Sequence, residues 1–188
     1  LVAPVTLRNG IIDRIDREIS RHRQQGEGHI IFKMNALIDP LCITALYRAS
    51  QAGVKVDLQV RGICCLLPGI TDVSENITVT SIVGRFLEHA RIYYFHNGGD
   101  EEVLLGSADL MPRNLDRRVE ILFPIENLQN RKAIISTILP VQLRDTIKCR
   151  LLKSDGSYER RTPSEDMPAL NTQSWLVDHR GTWYNGGN

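Results

Sequence analysis

The chain has 188 residues, with 23 lysines and arginines against 22 aspartates and glutamates, a formal charge of +1. With 42% apolar residues, so little net charge excludes a disordered chain, and near-neutrality speaks against a general nucleic-acid binder, which carries a basic excess. No apolar run reaches the roughly 18–20 residues of a membrane-spanning helix. Leu1-Val2-Ala3-Pro4 lacks the basic start and apolar core of a signal peptide. A single domain is expected. Cys42, Cys64, Cys65 and Cys149 form no C-x-x-C pair and have no histidines at zinc spacing. Buried free thiols, and hence the cytoplasm, are the expectation.

Ile11, Ile12, Ile15 and Ile19 fall at helical spacing and predict a helix over 7–25, ended by Gly26 and Gly28. Residues 29–35 are short, apolar and β-branched, and read as a strand. Asp39 as N-cap and Pro40 as first helical residue open a second helix that runs to Gly53. Residues 54–60 alternate as a strand does. Strand, helix and strand with short connections make a βαβ unit, so the two strands are expected to be parallel. A strand is expected at 77–82, then a turn or short helix through Arg85-Phe86-Leu87. Strands at 90–96 and 102–106 are joined by the turn signal Asn97-Gly98-Gly99-Asp100. Another strand is expected at 117–123, and a helix within 126–144 that Pro140 kinks or ends. Beyond 153 the apolar pattern fades. The domain is therefore set at 1–153, and 154–188 is expected to be a tail with little order. Trp175 and Trp183 receive no role.

Open α/β sheets bind ligands beyond the carboxyl ends of their strands, and the second parallel strand runs straight into Arg61-Gly62. Of the five histidines, His22 reads as solvated, His29 and His96 as structural, and His179 as part of the tail. His89 differs, because Arg91 follows it two residues on, at the start of a strand, on the same face. Gly106-Ser107-Ala108-Asp109 ends the next strand, and Arg113-Asn114-Leu115-Asp116-Arg117-Arg118-Val119-Glu120 is dense in cations. Arginine forks bind phosphate oxygens in pairs. Histidine can attack phosphorus or exchange a proton near neutral pH. The pattern is that of a phosphate-handling set. Pairing of these charges across neighbouring strands is its other reading.

The order of these parts resembles the phospholipase D superfamily, whose motif H-x-K-x-x-x-x-D is followed by G-S-x-N and a further Arg and Glu. Here Arg91 stands where Lys is usual and His96 where Asp is usual. Over approximately residues 2–163 the chain is more specifically similar to the C-terminal part of bacterial polyphosphate kinases. The similarity runs through Lys33-Met34-Asn35-Ala36-Leu37, Val60-Arg61-Gly62-Ile63-Cys64-Cys65-Leu66, Ser81-Ile82-Val83-Gly84-Arg85-Phe86-Leu87-Glu88-His89 and Arg113–Glu120.

The resemblance implies an α/β fold, a mixed phospholipase D-like β-sheet flanked by helices. It implies two such domains sharing one active site, which moves the terminal phosphate of ATP reversibly onto polyphosphate. The phosphorylated histidine would lie in the first domain, before Leu1, so this chain alone is expected to be inactive or nearly so. Implied partners are ATP or ADP, inorganic polyphosphate, the preceding domains and further copies of the enzyme, and not nucleic acid. Magnesium would arrive with ATP, its ligands mostly outside this chain. The implied location is the cytoplasm or the periphery of the inner membrane.

By the same resemblance Arg61 contacts the nucleotide. His89 is a second active-site histidine near the phosphates, a proton donor or a phosphate ligand. The residue pattern adds Arg91, Arg113, Arg117, Arg118 and Lys33 as polyphosphate-binding candidates. Strand alternation puts Arg117 and Arg118 on opposite faces, and a salt bridge is the other reading of Lys33. Glu88 and Glu120 are read as partners that orient His89 or an arginine. Of Tyr93 and Tyr94, one is expected in the core. Two alternatives remain open: a phosphodiesterase assembled from two chains, and a noncatalytic polyphosphate-binding module.

Overall fold

The computed structural model describes residues 1–181; Trp183 and the remainder of the expected tail, 182–188, lie outside the described residues. Strand β1 (Val2–Ala3) leads into helix α1 (Leu7–Gln25), strand β2 (His29–Met34), helix α2 (Pro40–Gln51) and strand β3 (Lys55–Val60). Strands β4 (Ile77–Ile82), β5 (Arg91–Phe95) and β6 (Glu102–Gly106) follow, then helix α3 (Pro112–Arg117) and strand β7 (Glu120–Pro124). Helix α4 (Leu128–Ala133) passes through a π-helical segment (Ile134–Ile138) into α5 (Leu139–Leu143). Strands β8 (Cys149–Leu152) and β9 (Tyr158–Arg160) and helix α6 (Thr172–Asp178) complete the described chain.

The nine strands form one mixed sheet in the order β1-β7-β6-β5-β2-β3-β4-β8-β9. As expected, β2 and β3 pair in parallel across α2; β4 also runs parallel to β3, and the other pairs are antiparallel. Strand alternation divides the core. Ile30, Phe32 and Met34 of β2 pack with Leu7, Ile11, Ile15 and Ile19 of α1 and with Ala45, Leu46 and Ala49 of α2. Ile31 joins Ile92, Tyr94, Val103, Ile134 and Leu139 on the opposite face. Tyr93 and Tyr94 are therefore both buried, one in each core. Phe32 meets Tyr93 and Phe95 edge-on, with centroids 4.8 and 5.4 Å apart; full burial of each such ring contributes about 1.5–3 kcal/mol.

Polar residues fix how the elements meet. Asp39 caps α2 by accepting from the Cys42 N–H at 3.0 Å, and Arg8 of α1 donates to the same carboxylate. The fully buried Glu18 carboxylate accepts from the N–H groups of His29 and Asn97, joining α1 to the start of β2 and to the turn after β5. His22, read as solvated, is half-buried and accepts from the Gly28 N–H at 3.0 Å. His29 pairs with Asp57 at 2.7 Å, the structural role expected of it.

Four expectations need correction. Residues 112–117 are helical, because Pro112 at the first helical position is pre-set for a helix; the strand begins only at Glu120. Of the kink or the end expected at Pro140, the end does not occur. Pro140 lacks the N–H for the bond to residue 136, and the wider π turn just before it carries the helix on to Leu143. Residues 154–181 hold β9 and α6 rather than a loose tail, and the 153/154 boundary falls inside the β8–β9 hairpin. Polar bonds that an apolar-period reading does not register hold this segment: Thr172 donates to Asp145 and Val141, and Gln173 donates to Phe86 and Glu88. Finally, the four cysteines are free, but Cys65 is exposed and Cys64 only partly buried.

Candidate functional site

The topology brings one edge of the sheet to a point. The carboxyl ends of β2, β3 and β6 deliver Asn35, Arg61 and Ser107, and the antiparallel β5 and β7 start from the same edge with Arg91 and Glu120. These residues line a cavity of about 550 Å³ together with His89, Asp109, Arg113, Asn114 and Arg118. Gly106 closes its rim. A Cβ there would collide with the backbone carbonyl of Ile121 on β7, so the close approach of these strands requires glycine.

A chain of hydrogen bonds holds the floor. Arg61 gives its Nε–H to Asn35 Oδ1 at 2.7 Å, and the Asn35 backbone N–H donates to Asp109 Oδ1 at 2.7 Å. Asp109 accepts the Arg91 fork through Nε at 3.1 Å and Nη2 at 2.8 Å. The remaining Arg91 nitrogen, Nη1, reaches His89 Nδ1 at 2.9 Å and the His89 carbonyl at 2.8 Å. Arg91 and Asp109 are both buried, 7% and 8% exposed at their side chains. Every nitrogen of Arg91 is thus engaged.

A guanidinium only donates, so His89 Nδ1 accepts and carries no hydrogen. The ring's single hydrogen is assigned by this network to Nε2. His89 is an exposed side chain, and Nε2–H is the donor it has left for a ligand in the cavity.

The cations divide by environment. Arg61 keeps both Nη groups free of described partners, and Arg113 is exposed at the cavity wall. Arg118 lies 4.0 Å from Glu120, whose carboxylate also accepts from Asn114. The alternation argument for Arg117 and Arg118 fails, because Arg117 is the last residue of a helix. Arg117 does not line the His89 cavity; it lines a neighbouring pocket with Pro112, Asp116 and the cavity residues Arg113 and Arg118. Arg91, expected as a free anion contact, is the bracket of His89 instead.

Lys33 also stands apart. It forms a 2.8 Å ion pair with Glu88 and lines a separate, largely apolar cavity of about 750 Å³ with Phe86, Ile92 and Ile134. Glu88 therefore does not orient His89; it is held by Lys33, Gln142 and Gln173. Burial alone raises its pKa, but the Lys33 charge and these bonds outweigh burial and hold it below the ordinary carboxylate value. Burial pushes the Cys64 thiol up to about 11, so it is no nucleophile at neutral pH.

Among the described residues no group of three or more His, Cys, Asp or Glu side chains is placed to hold a metal. The chemistry of the cavity agrees: Asp109 is spent on Arg91 and Glu120 on Asn114 and Arg118, so its donors do not fit a magnesium ion. Nor is any described helix long and apolar enough to cross a membrane.

Sequence reasoning left Asp109 and Asn114 outside the site, although both sit within quoted motifs. It also missed Lys148 and Arg150, just before the apolar pattern fades, and Arg160 beyond it. Their signal was the alternation of Lys148 with Arg150.

A mixed sheet flanked by helices, with these residues gathered at one edge, is a phospholipase D-like fold. The phospholipase D family member Nuc from Salmonella typhimurium shares the fold, with a TM-score of 0.52 and 16% identity over 72% of this chain and 88% of that one. The chain belongs to the polyphosphate kinase C-terminal domain 2 family, whose model matches residues 1–173. It is 52% identical over 174 residues to the polyphosphate kinase of Prosthecochloris aestuarii, covering 93% of this chain and 24% of that protein. Against the Bacillus cereus polyphosphate kinase it is 57% identical over 157 residues, 84% of this chain and 22% of that protein. The crystal structure of polyphosphate kinase from Porphyromonas gingivalis superposes with a TM-score of 0.92 at 41% identity, over 100% of this chain and 28% of that one. The chain thus spans about a quarter of the relatives it matches.

Proposed function

We propose that this domain supplies half of a phosphoryl-transfer active site, which moves the terminal phosphate of ATP reversibly onto inorganic polyphosphate. ATP or ADP and polyphosphate are its ligands, and the other half, with the histidine that accepts the phosphoryl group, comes from a preceding domain. The observation that carries this reading is the His89 cavity, where a histidine with its hydrogen on Nε2 faces three arginines. Phosphoryl transfer needs little covalent chemistry from the protein; it needs positioning and cations around the equatorial oxygens. Arg61, Arg113 and Arg118 supply that charge. His89 donates from Nε2 to a phosphate oxygen, and Arg91 with Asp109 keeps its ring in that tautomer. Of the two roles the resemblance left to His89, this favours phosphate ligand.

The same geometry weighs against the two-chain phosphodiesterase. An imidazole that attacks phosphorus through Nε2 needs a lone pair there and its hydrogen on Nδ1, the reverse of this arrangement. Magnesium belongs with the nucleotide in this reading. In a full-length polyphosphate kinase carrying this domain, His89→Ala is expected to abolish transfer while the folded spectrum stays unchanged, because His89 is exposed and its carbonyl still accepts from Arg91. Wild-type turnover in that variant would end the assignment.

A further inference from the structure

Arg61 has a second neighbourhood. Beside the His89 cavity lies a groove of about 570 Å³ lined by Arg61, Ser81, Lys148, Arg150, Tyr158 and Arg160. It has four cations and no carboxylate in its lining. Register explains the alignment. Ser81 of β4 stands opposite Arg150 of β8, and Arg150 stands opposite Arg160 of β9. Ser81 Oγ donates to the Arg61 carbonyl at 3.1 Å, which ties the row to the end of β3. Tyr158 falls two residues from Arg160 on β9 and so shares its face; Lys148, just before β8, lines the same groove. The row crosses four strands, about 14 Å at the usual strand spacing.

Two features of this row call for an anion. Like charges directly opposite one another on paired strands are destabilising, and Arg150 and Arg160 form such a pair. No carboxylate among the described residues relieves it. Among the described residues Lys148 and Arg150 have no ion pair, and Arg160 reaches only the Ile147 carbonyl. The nearby Asp145 is buried and spends its charge on the backbone N–H groups of Ile147, Lys148, Cys149 and Thr172.

We infer that this groove is a second anion site, continuous with the His89 cavity through Arg61, and that it holds the inorganic polyphosphate chain away from its reacting end. The assignment rests on the phosphoryl-transfer reading for its choice of polyanion. A nucleoside triphosphate is fully engaged in one cavity, whereas a long polyphosphate reaches both.

The test is equilibrium binding of long-chain inorganic polyphosphate, tripolyphosphate and ATP to this chain at several salt concentrations. Wild type is compared with Lys148→Gln/Arg150→Gln, and Tm is measured for both. The double variant is expected to bind long-chain polyphosphate at least tenfold more weakly, with its salt slope reduced by about one unit per cation removed. Binding of tripolyphosphate and ATP is expected to stay as in wild type. At low salt without anion the variant's Tm is expected to equal or exceed that of wild type, because the cross-strand repulsion is gone. Unchanged affinity and slope for long-chain polyphosphate, or equal weakening of all three ligands, would overturn the groove. If ATP binds neither protein but long-chain polyphosphate still discriminates them, the groove stands and the nucleotide half of the phosphoryl-transfer reading fails.

Discussion

Arg91 shows how one side chain decides what its neighbour can do. A lysine at this position would present a single point charge to the cavity. The arginine fork instead spends two nitrogens on Asp109 and the third on His89 Nδ1, which fixes the histidine as a donor through Nε2. Two-bond proton–nitrogen spectra of the His89 ring are expected to show the Nε2–H tautomer in the wild type and a mixture of tautomers in Arg91→Lys. An Nδ1–H signal in the wild type would refute the arrangement. The pair is also structural: Asp109→Ala leaves a buried guanidinium unpaired, a loss of about 3–5 kcal/mol. Glu88 gives the acid response. Its folded pKa lies below the ordinary 4.5, so the unfolded chain takes up that proton first as the pH falls. Its contribution is complete above about 4.5 and is lost as the pH drops through the lower folded value. In an acid titration of stability, Glu88→Gln is expected to start lower at pH 7 and to fall less steeply below 4.5. Parallel curves would contradict the ion pair with Lys33.

At the scale of elements, period and caps carried most of what could be read. The buried stripe of α1, the Asp39-Pro40 start of α2 and the alternation of β3 are local signals, and each element forms where it was expected. Some misreadings have a local cause, as at Pro112 and Pro140, but for others the deciding contact is distant in sequence. Lys33 lies on the Ile31 face of β2, and the partner that engages it there, Glu88, is 55 residues away. β9 and α6 have no apolar period to reveal them, and bonds to Asp145, Val141 and Phe86 hold α6. In the site, His89 and Arg61 were legible as residue types beside strand ends, but the engagement of Arg91 depends on a carboxylate 18 residues on. Gly106 offers a test at this scale. Its neighbour is backbone, which cannot give way, so Gly106→Ala is expected to lose about 1–3 kcal/mol, a fall of roughly 3–10 °C in Tm. An unchanged Tm would mean that β6 and β7 do not approach as closely as described.

For the molecule as a whole, the sheet is a scaffold that brings five strand ends to one edge and places cations there without a competing free carboxylate. A domain of the polyphosphate kinase C-terminal domain 2 family that spans a quarter of its relatives carries, on this account, the phosphate-gripping half of the chemistry and not the nucleophile. The most direct measurement is to incubate the purified chain with magnesium and ATP labelled at the terminal phosphate, beside a His89→Ala control. Acid-labile label on the protein and label in polyphosphate are then followed. Neither is expected. Acid-labile label on the wild type, absent from His89→Ala, would contradict this reading, because His89 would then be the nucleophile and its Nε2 would need the lone pair that the Arg91 bond denies it.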